Sequence, residues 1–173
     1  MVEPLVIRRA TDGDRLAAAK VHVRSWQVGY RGIIFDEVLD RLDVNARATQ
    51  YPFHLTDTGH PVTFIATVGG DVIGLVIVSP SREDDDPLVG EVQALYVDAG
   101  HWRSAVGSTL IEHAERQLSG DGFAEAFLWV LEDNTRGRKF YEFVGWRADG
   151  TRMNKVIGER EHIELRYRKE LSD

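Results

Sequence analysis

The stretch that most constrains this chain is GEVQALYVDAGHWRSAVGSTLIEHAERQ, Gly90 to Gln117. Its first third alternates, with Val92, Ala94 and Tyr96 against Gln93, Leu95 and Val97, which is the period of a strand. After the polar turn Asp98 to Ser104, the apolar positions become Val106, Leu110, Ala114 and Leu118, the period of a helix with one buried face. A strand, a small-residue turn and a helix N-terminus in that order point several backbone N–H groups outward with a helix dipole behind them. That arrangement suits a phosphate or pyrophosphate. Ser104, Ala105, Gly107 and Ser108 keep the side chains small where a ligand would approach. The stretch is neither a P-loop, since no Gly-Lys-Ser/Thr ending is present, nor a dinucleotide fingerprint, since it lacks G-x-G-x-x-G.

The flanking segments supply a sheet. Leu5, Ile7 and the residues to Ala10 predict a short strand, and Thr11 with Asp14 is close to a capping box, so a helix is expected from about Asp12. Leu16, Ala19, Val23, Trp26 and Tyr30 form its apolar stripe, and the two aromatics are either core or pocket lining. Gly29 and Gly32 end that helix. Asp36 to Leu42, and the segment ended by Pro52, predict two further helical pieces. From Pro61 the period drops to two, and VTFIATV, Gly69-Gly70 and VIGLVIV read as a hairpin whose apolar second strand lies inside the sheet. The run Glu83, Asp84, Asp85, Asp86 reads as a solvated loop that could also attract an amine. Ala124 to Leu131 predicts a buried strand, and Asn134 to Phe143 a short helix stopped at Gly145. Trp146 to Met153 and His162 to Glu170 predict two closing strands, the latter with Ile163, Leu165 and Tyr167 opposite Glu164, Arg166 and Arg168. A mixed α/β sheet in one domain over residues 1–173 is expected.

Composition excludes several chemistries. With 173 residues, 43% of them hydrophobic, the chain can build one core without staples. It has no cysteine, hence no disulfide, thiolate metal site or cysteine nucleophile. None of the six histidines stands in an H-x-x-x-H or H-E-x-x-H spacing, so no metal is expected, and no serine sits in a nucleophile elbow. The absence of a signal-like or membrane-length apolar run predicts a cytoplasmic protein without a membrane partner. A net charge of −7 argues against nucleic acid and weakly favours a cationic small-molecule partner. Apolar alternation in the late strands suggests a homodimer.

One further segment, NTRGRKFYEFVGW from Asn134 to Trp146, resembles the N-x-x-A-x-x-F-Y-E-x-x-G-F signature of the GNAT superfamily of acetyl-coenzyme A-dependent N-acetyltransferases. EVQALYV and the W-x-x-A-x-G spacing of Trp102, Ala105 and Gly107 are similar to its cofactor loop, and RSWQVGYRGI to the N-terminal segment of one large group of these enzymes. The family usually has Gln or Arg where this chain has Trp102, and Gly where it has Ala105. The resemblance implies an α/β (α+β) fold with a central mixed, mostly antiparallel twisted sheet of about seven strands, flanked by about four helices and splayed between the fourth and fifth strands. It implies acetyl-coenzyme A as cofactor. Backbone groups of Leu95 and Val97, flanking Tyr96, would pair with the pantetheine arm. The loop from Trp102 through Arg103, Ser104, Ala105, Val106, Gly107 and Ser108 would hold the pyrophosphate. Asn134 would contact the arm, Phe140 would line the cofactor side, Tyr141 would sit near the sulfur, and Trp26 and Tyr30 would line the acceptor groove.

The implied reaction is attack of an amine on a thioester. Deprotonating an alkyl amine of pKa about 10.4 at pH 7 costs about 4 to 5 kcal/mol, so a base and a desolvating pocket must share the task. Glu91 is the candidate base, directly or through water, and is otherwise an ordinary strand-end carboxylate. A backbone N–H of the same strand is the candidate oxyanion donor. Tyr141, with a reference pKa of about 10, is the candidate acid for the departing thiolate. The expected activity is direct transfer of an acetyl group from acetyl-coenzyme A to a primary amine. The alternatives are a non-catalytic acyl-coenzyme A-binding module and an acetyltransferase of protein N-termini or lysines.

Overall fold

Two glycines at positive φ, Gly69 and Gly70, let the chain turn tightly between β2 (Val62–Val68) and β3 (Asp71–Pro80), as the hairpin pattern requires. The structure is a computed structural model that describes residues 3–55, 59–83 and 88–172. Seven strands form one sheet in the order β1-β2-β3-β4-β5-β7-β6. They are β1 (Val6–Arg9), β2, β3, β4 (Val89–Val97), β5 (Glu125–Leu131), β6 (Arg147–Ile157) and β7 (Arg160–Glu170). β3 lies between β2 and β4, which explains why it is apolar on both faces. Every neighbouring pair is antiparallel except β4 and β5. Those two are parallel over three rows, Val89 with Glu125, Gly90 with Ala126 and Glu91 with Phe127, and no row pairs them beyond Glu91. This is the expected splay.

Its cause lies one residue further along β4. Opposite β3, Ile77 pairs with Ala94 and Val78 with Val92, so Gln93 is an extra residue, a bulge that bends and twists the strand away from β5. The bulge corrects the simple alternation expected for this strand. Val92 is buried in the cluster beneath α4 (Val106–Gly120), and Leu95 and Val97 pack on that same cluster, whereas Tyr96 packs on the opposite face.

Helices cover both faces. α4 buries Val106, Leu110, Ile111, Ala114 and Leu118 against one, and α5 (Thr135–Phe143) contributes Phe140 and Tyr141 to the same layer. On the other face lie α1 (Arg15–Gly29), α2 (Asp36–Asp40) and α3 (Val44–Thr49), which makes five α-helices among the described residues where about four were expected. The Thr11–Asp14 capping box forms, but it closes a 3-10 turn, and the α-helix begins at Arg15. Arg8, hydrogen-bonded to Asp14 at 2.8 Å, holds that carboxyl down to about 2. The stripe expected along α1 is also corrected, since Leu16 is 45% exposed while Ala18, Ala19, Val21, His22, Val23 and Ser25 are buried. α1 is wedged between the sheet and the Tyr51–Phe53 segment, so more than one stripe is covered.

β6 is an outer edge strand, mostly exposed, and carries Arg147, Arg152 and Lys155, an edge of the kind that resists strand addition. Of the acidic run, Asp84 to Asp86 lie outside the described residues, while the Glu83 carboxylate accepts a hydrogen bond from Trp129 Nε1 at 2.8 Å. Among the described residues no helix is long and apolar enough to cross a membrane.

Candidate functional site

Where β4 leaves β5, its backbone faces a gap. The Asp98 N–H is bonded to the Ile73 carbonyl at 2.8 Å, so by alternation the groups of Leu95 and Val97 point away from β3 and into that gap. Those groups can accept an extended ligand as if it were an added strand. The Val97 carbonyl already accepts from Trp102 Nε1 at 2.9 Å, so an arm that pairs with Val97 must share or displace the indole.

Past Trp102 the chain makes two left-handed steps, Arg103 and Ala105, both at φ 63°. They turn successive backbone N–H groups to one side, a nest continuous with the start of α4. Ala105 is the N-cap and offers no capping side chain, and the first helical N–H bond runs from Thr109 to the Ala105 carbonyl at 2.9 Å. Val106, Gly107 and Ser108 therefore present N–H donors that the helix itself does not use. Ser104 and Ser108 spend their hydroxyls on local carbonyls, those of His101 and Ala105. An alanine in this left-handed conformation is strained, where a glycine would not be. Ala105→Gly is expected to stabilise the protein by about 1 kcal/mol, read as a rise in denaturant midpoint, and no gain would remove the strain argument.

α5 behaves differently at its start. The Asn134 Oδ1 accepts from the Gly137 N–H at 3.0 Å, so this residue caps its own helix and only its amide nitrogen is left for a ligand. A Cβ on Gly107 would stand 3.3 Å from the Phe140 ring, which shows how closely α5 approaches the α4 N-terminus. The Arg136 guanidinium stacks 3.6 Å over the Trp102 ring and reaches the C-terminal end of α1 beside Gly29, so α5, the loop and α1 meet at one mouth of the gap. Burial lowers the pKa of Arg136, and the nearby Tyr30 partly opposes that.

On the side of α1, rings gather. Trp26 and Tyr30 meet edge to face at 4.9 Å and pack on Ile34, Leu39 and Leu131, so they are partly core and partly lining. Tyr96 lies 4.2 Å from the His22 ring, and His22 shares a 2.8 Å hydrogen bond with the Tyr51 hydroxyl. Burial, with a smaller contribution from Arg47, pushes His22 down to about 3, so it is a neutral partner. Tyr141 keeps some surface, but its hydroxyl is desolvated, which raises its pKa, as does Tyr96 nearby. Desolvation likewise raises Tyr30 and Tyr96, which stay protonated donors.

Glu91 stands apart, at the closed end of the gap in the last paired row. It is 2% exposed, and both its oxygens are engaged by Arg82, at 2.6 Å to Nη2 and 3.0 Å to Nε, while the Arg82 side chain is 62% exposed. Among the described residues no hydrogen bond joins it to Tyr30, Tyr96 or Tyr141. The structure thus gathers Trp26, Tyr30, Tyr96 and Tyr141 at one end, and Leu95, Val97 and the residues from Trp102 to Ser108 along the other wall. His22, Arg82, Arg136 and Glu164 were not among the site residues expected. No local signal showed that helices cover both faces of the sheet. Among the described residues no group of three or more His, Asp or Glu is placed to hold a metal ion.

The family model described as Acetyltransferase (GNAT) family matches residues 24–146. A probable N-acetyltransferase of Mycobacterium tuberculosis is 30% identical over 146 residues, which are 83% of this chain and 80% of that relative. The structure of the PaiA N-acetyltransferase from Thermoplasma acidophilum in complex with coenzyme A superposes with a TM-score of 0.73 at 19% identity, over 96% of this chain and 99% of that one. That of yncA from Salmonella typhimurium with its cofactor acetyl-CoA superposes with a TM-score of 0.74 at 16% identity, over 98% and 95%.

Proposed function

The chain belongs to the GNAT family of acetyltransferases, and from that premise we propose that it transfers an acetyl group from acetyl-coenzyme A to a primary amine by direct attack in a ternary complex. The observation that carries this reading is the gap between β4 and β5, which opens beside the uncapped N-terminus of α4. A pantetheine arm fits along Leu95 and Val97, with its pyrophosphate on the nest from Arg103 to Ser108 and its sulfur toward Tyr141. The Asn134 amide nitrogen would donate to the arm, while Phe140 walls it.

The amine nitrogen attacks the thioester carbonyl carbon, the carbon–sulfur bond breaks, and the thiolate takes the Tyr141 hydroxyl proton. The proton lost by the amine leaves toward Glu91. Because Arg82 engages both carboxylate oxygens and no hydrogen bond joins Glu91 to Tyr30, Tyr96 or Tyr141 among the described residues, this transfer passes through water, and Arg82 must release one oxygen. A backbone N–H of β4 facing the gap stabilises the oxyanion.

Free-thiol release from acetyl-coenzyme A across polyamines, amino acids, aminoglycosides and peptides tests the reading. Thiol release matched mole for mole by an acetylated small amine is expected. Tight cofactor binding with no acceptor in the panel would instead make the chain a non-catalytic binder, and release with peptides alone would move the acceptor to proteins.

A further inference from the structure

Alternate side chains of β7 face different covers. Leu165 and Tyr167 pack in the layer of α4 and α5. His162 and Glu164 turn the other way, and each is only 7% exposed. Glu164 pairs directly with Leu131 of β5, so the two side chains share a face, and Leu131 is packed with Trp26 and Tyr30.

The two oxygens of this carboxylate are unequal. Oε1 lies 3.4 Å from the Nζ of Lys155, a half-exposed residue at the sheet edge. Oε2 is fully buried and has no hydrogen-bond partner among the described residues, and the same holds for His162 Nε2. A buried carboxylate oxygen without a donor is unfavourable and uncommon in native folds, so a ligand that supplies the donor is the economical explanation. The hydroxyls of Tyr30 and Tyr96 are close enough to Glu164 to feel its charge. A carboxylate oxygen near the rings of Trp26, Tyr30 and Tyr96 has the chemistry that holds an alkylammonium, a charge-assisted hydrogen bond within π faces.

Register gives its place relative to the reaction. Glu91 is level with Phe127, and with Gln93 counted as the extra residue of the bulge, Tyr96, between Leu95 and Val97, is level with Leu131, which is paired with Glu164. Glu164 therefore stands at the level where the arm is placed, one strand beyond β5, a step of about 5 Å. The nitrogen that attacks must be neutral, so the charge held there belongs to a different nitrogen. We propose that Glu164 binds a second, non-reacting ammonium of the acceptor, which makes the preferred acceptor a short diamine or another amine that keeps a positive charge a few methylenes from the reacting nitrogen. The word acceptor rests on the acetyltransferase reading; the ammonium site does not.

The test is calorimetric titration of 1,4-diaminobutane and of n-butylamine into the full chain saturated with coenzyme A, for wild type and Glu164→Gln, alongside steady-state thiol release. Wild type is expected to bind the diamine about 10- to 100-fold more tightly than the monoamine. Glu164→Gln should erase that preference, raise KM for the diamine alone and leave coenzyme A affinity unchanged. Glu164→Asp, which keeps the charge, should fall between the two and serves as the variant if the Gln form does not fold. Equal binding of both amines by wild type overturns the proposal, as does a Gln variant that retains the preference. A Gln variant with lower kcat for both amines and unmoved KM also overturns it, because that marks proton transfer rather than recognition. Calorimetry needs no turnover, so diamine binding without thiol release would sink the transferase reading and leave the Glu164 site standing.

Discussion

Trp146→Ala is expected to lower stability by about 3 to 5 kcal/mol, the range for removing a large buried aromatic, and to drop the melting temperature by on the order of 10 °C in a chain of this size. Trp146 is fully buried immediately after the glycine that ends α5. Its backbone N–H returns to the Tyr141 carbonyl at 2.9 Å, and its indole donates to Glu115 Oε1 at 2.8 Å. The other oxygen of Glu115 accepts from Lys169 at 2.7 Å, and Lys169 also donates to the Val144 carbonyl. The residue therefore ties α5 to α4 and to β7, and its ring stands 6.5 Å from that of Tyr141. Removing it leaves a cavity beneath the helix that carries Phe140 and Tyr141, so acetyl-coenzyme A affinity should fall together with stability. Trp146→Phe keeps most of the packing, loses the hydrogen bond and should cost about 1 to 3 kcal/mol. Equilibrium denaturation and cofactor titration on the same samples decide the matter, and a loss below about 1.5 kcal/mol for the alanine variant would show that α5 is held by something else.

The second large effect concerns turnover. Tyr141→Phe removes the proposed proton donor and nothing from the packing, so kcat should fall about 100-fold at saturating substrates, within the range for general acids. Affinity for acetyl-coenzyme A should remain within about 3-fold, since the ring stays against Phe140 and Trp146. The pH dependence has a definite sign. Burial raises the Tyr141 pKa, so the phenol holds its proton past its reference value of about 10, and no alkaline decline arises from it below that pH. The acceptor amine, by contrast, loses its proton as pH rises. With a monoamine acceptor, wild-type kcat/KM should therefore climb with pH toward about 10 without a descending limb. Unchanged kcat in the phenylalanine variant would reassign the donor to water.

Much of this site was legible because it is local. The loop from Trp102 to Ser108 and the helix that follows announce themselves through small residues and a change of period, and Asn134, Tyr141 and Gly145 through their spacing. Glu164 was equally visible as a letter but not as a site. Its alternation with Leu165 reads as an exposed face, and becomes a buried one only because α1 and α2 cover that side of the sheet. Gln93 shows the same limit, for nothing in EVQALYV marks a bulge that turns Tyr96 away from Val92.

By itself, then, the sequence determined the elements, their order, the glycine turn of the hairpin and the small-residue start of α4 with its free N–H groups. Those outcomes depend on period, turn chemistry and unpaired N–H groups, forces that act within a few residues. The tertiary structure alone decided that β4 parts from β5 after Glu91, that Arg82 claims the Glu91 carboxylate, that Arg136 closes over Trp102, and that Glu164 is left with an unmatched oxygen among aromatic rings. Each of these is set by pairing register or by packing between segments distant in space, where the local environment of a charge, and not its identity, determines what it can do.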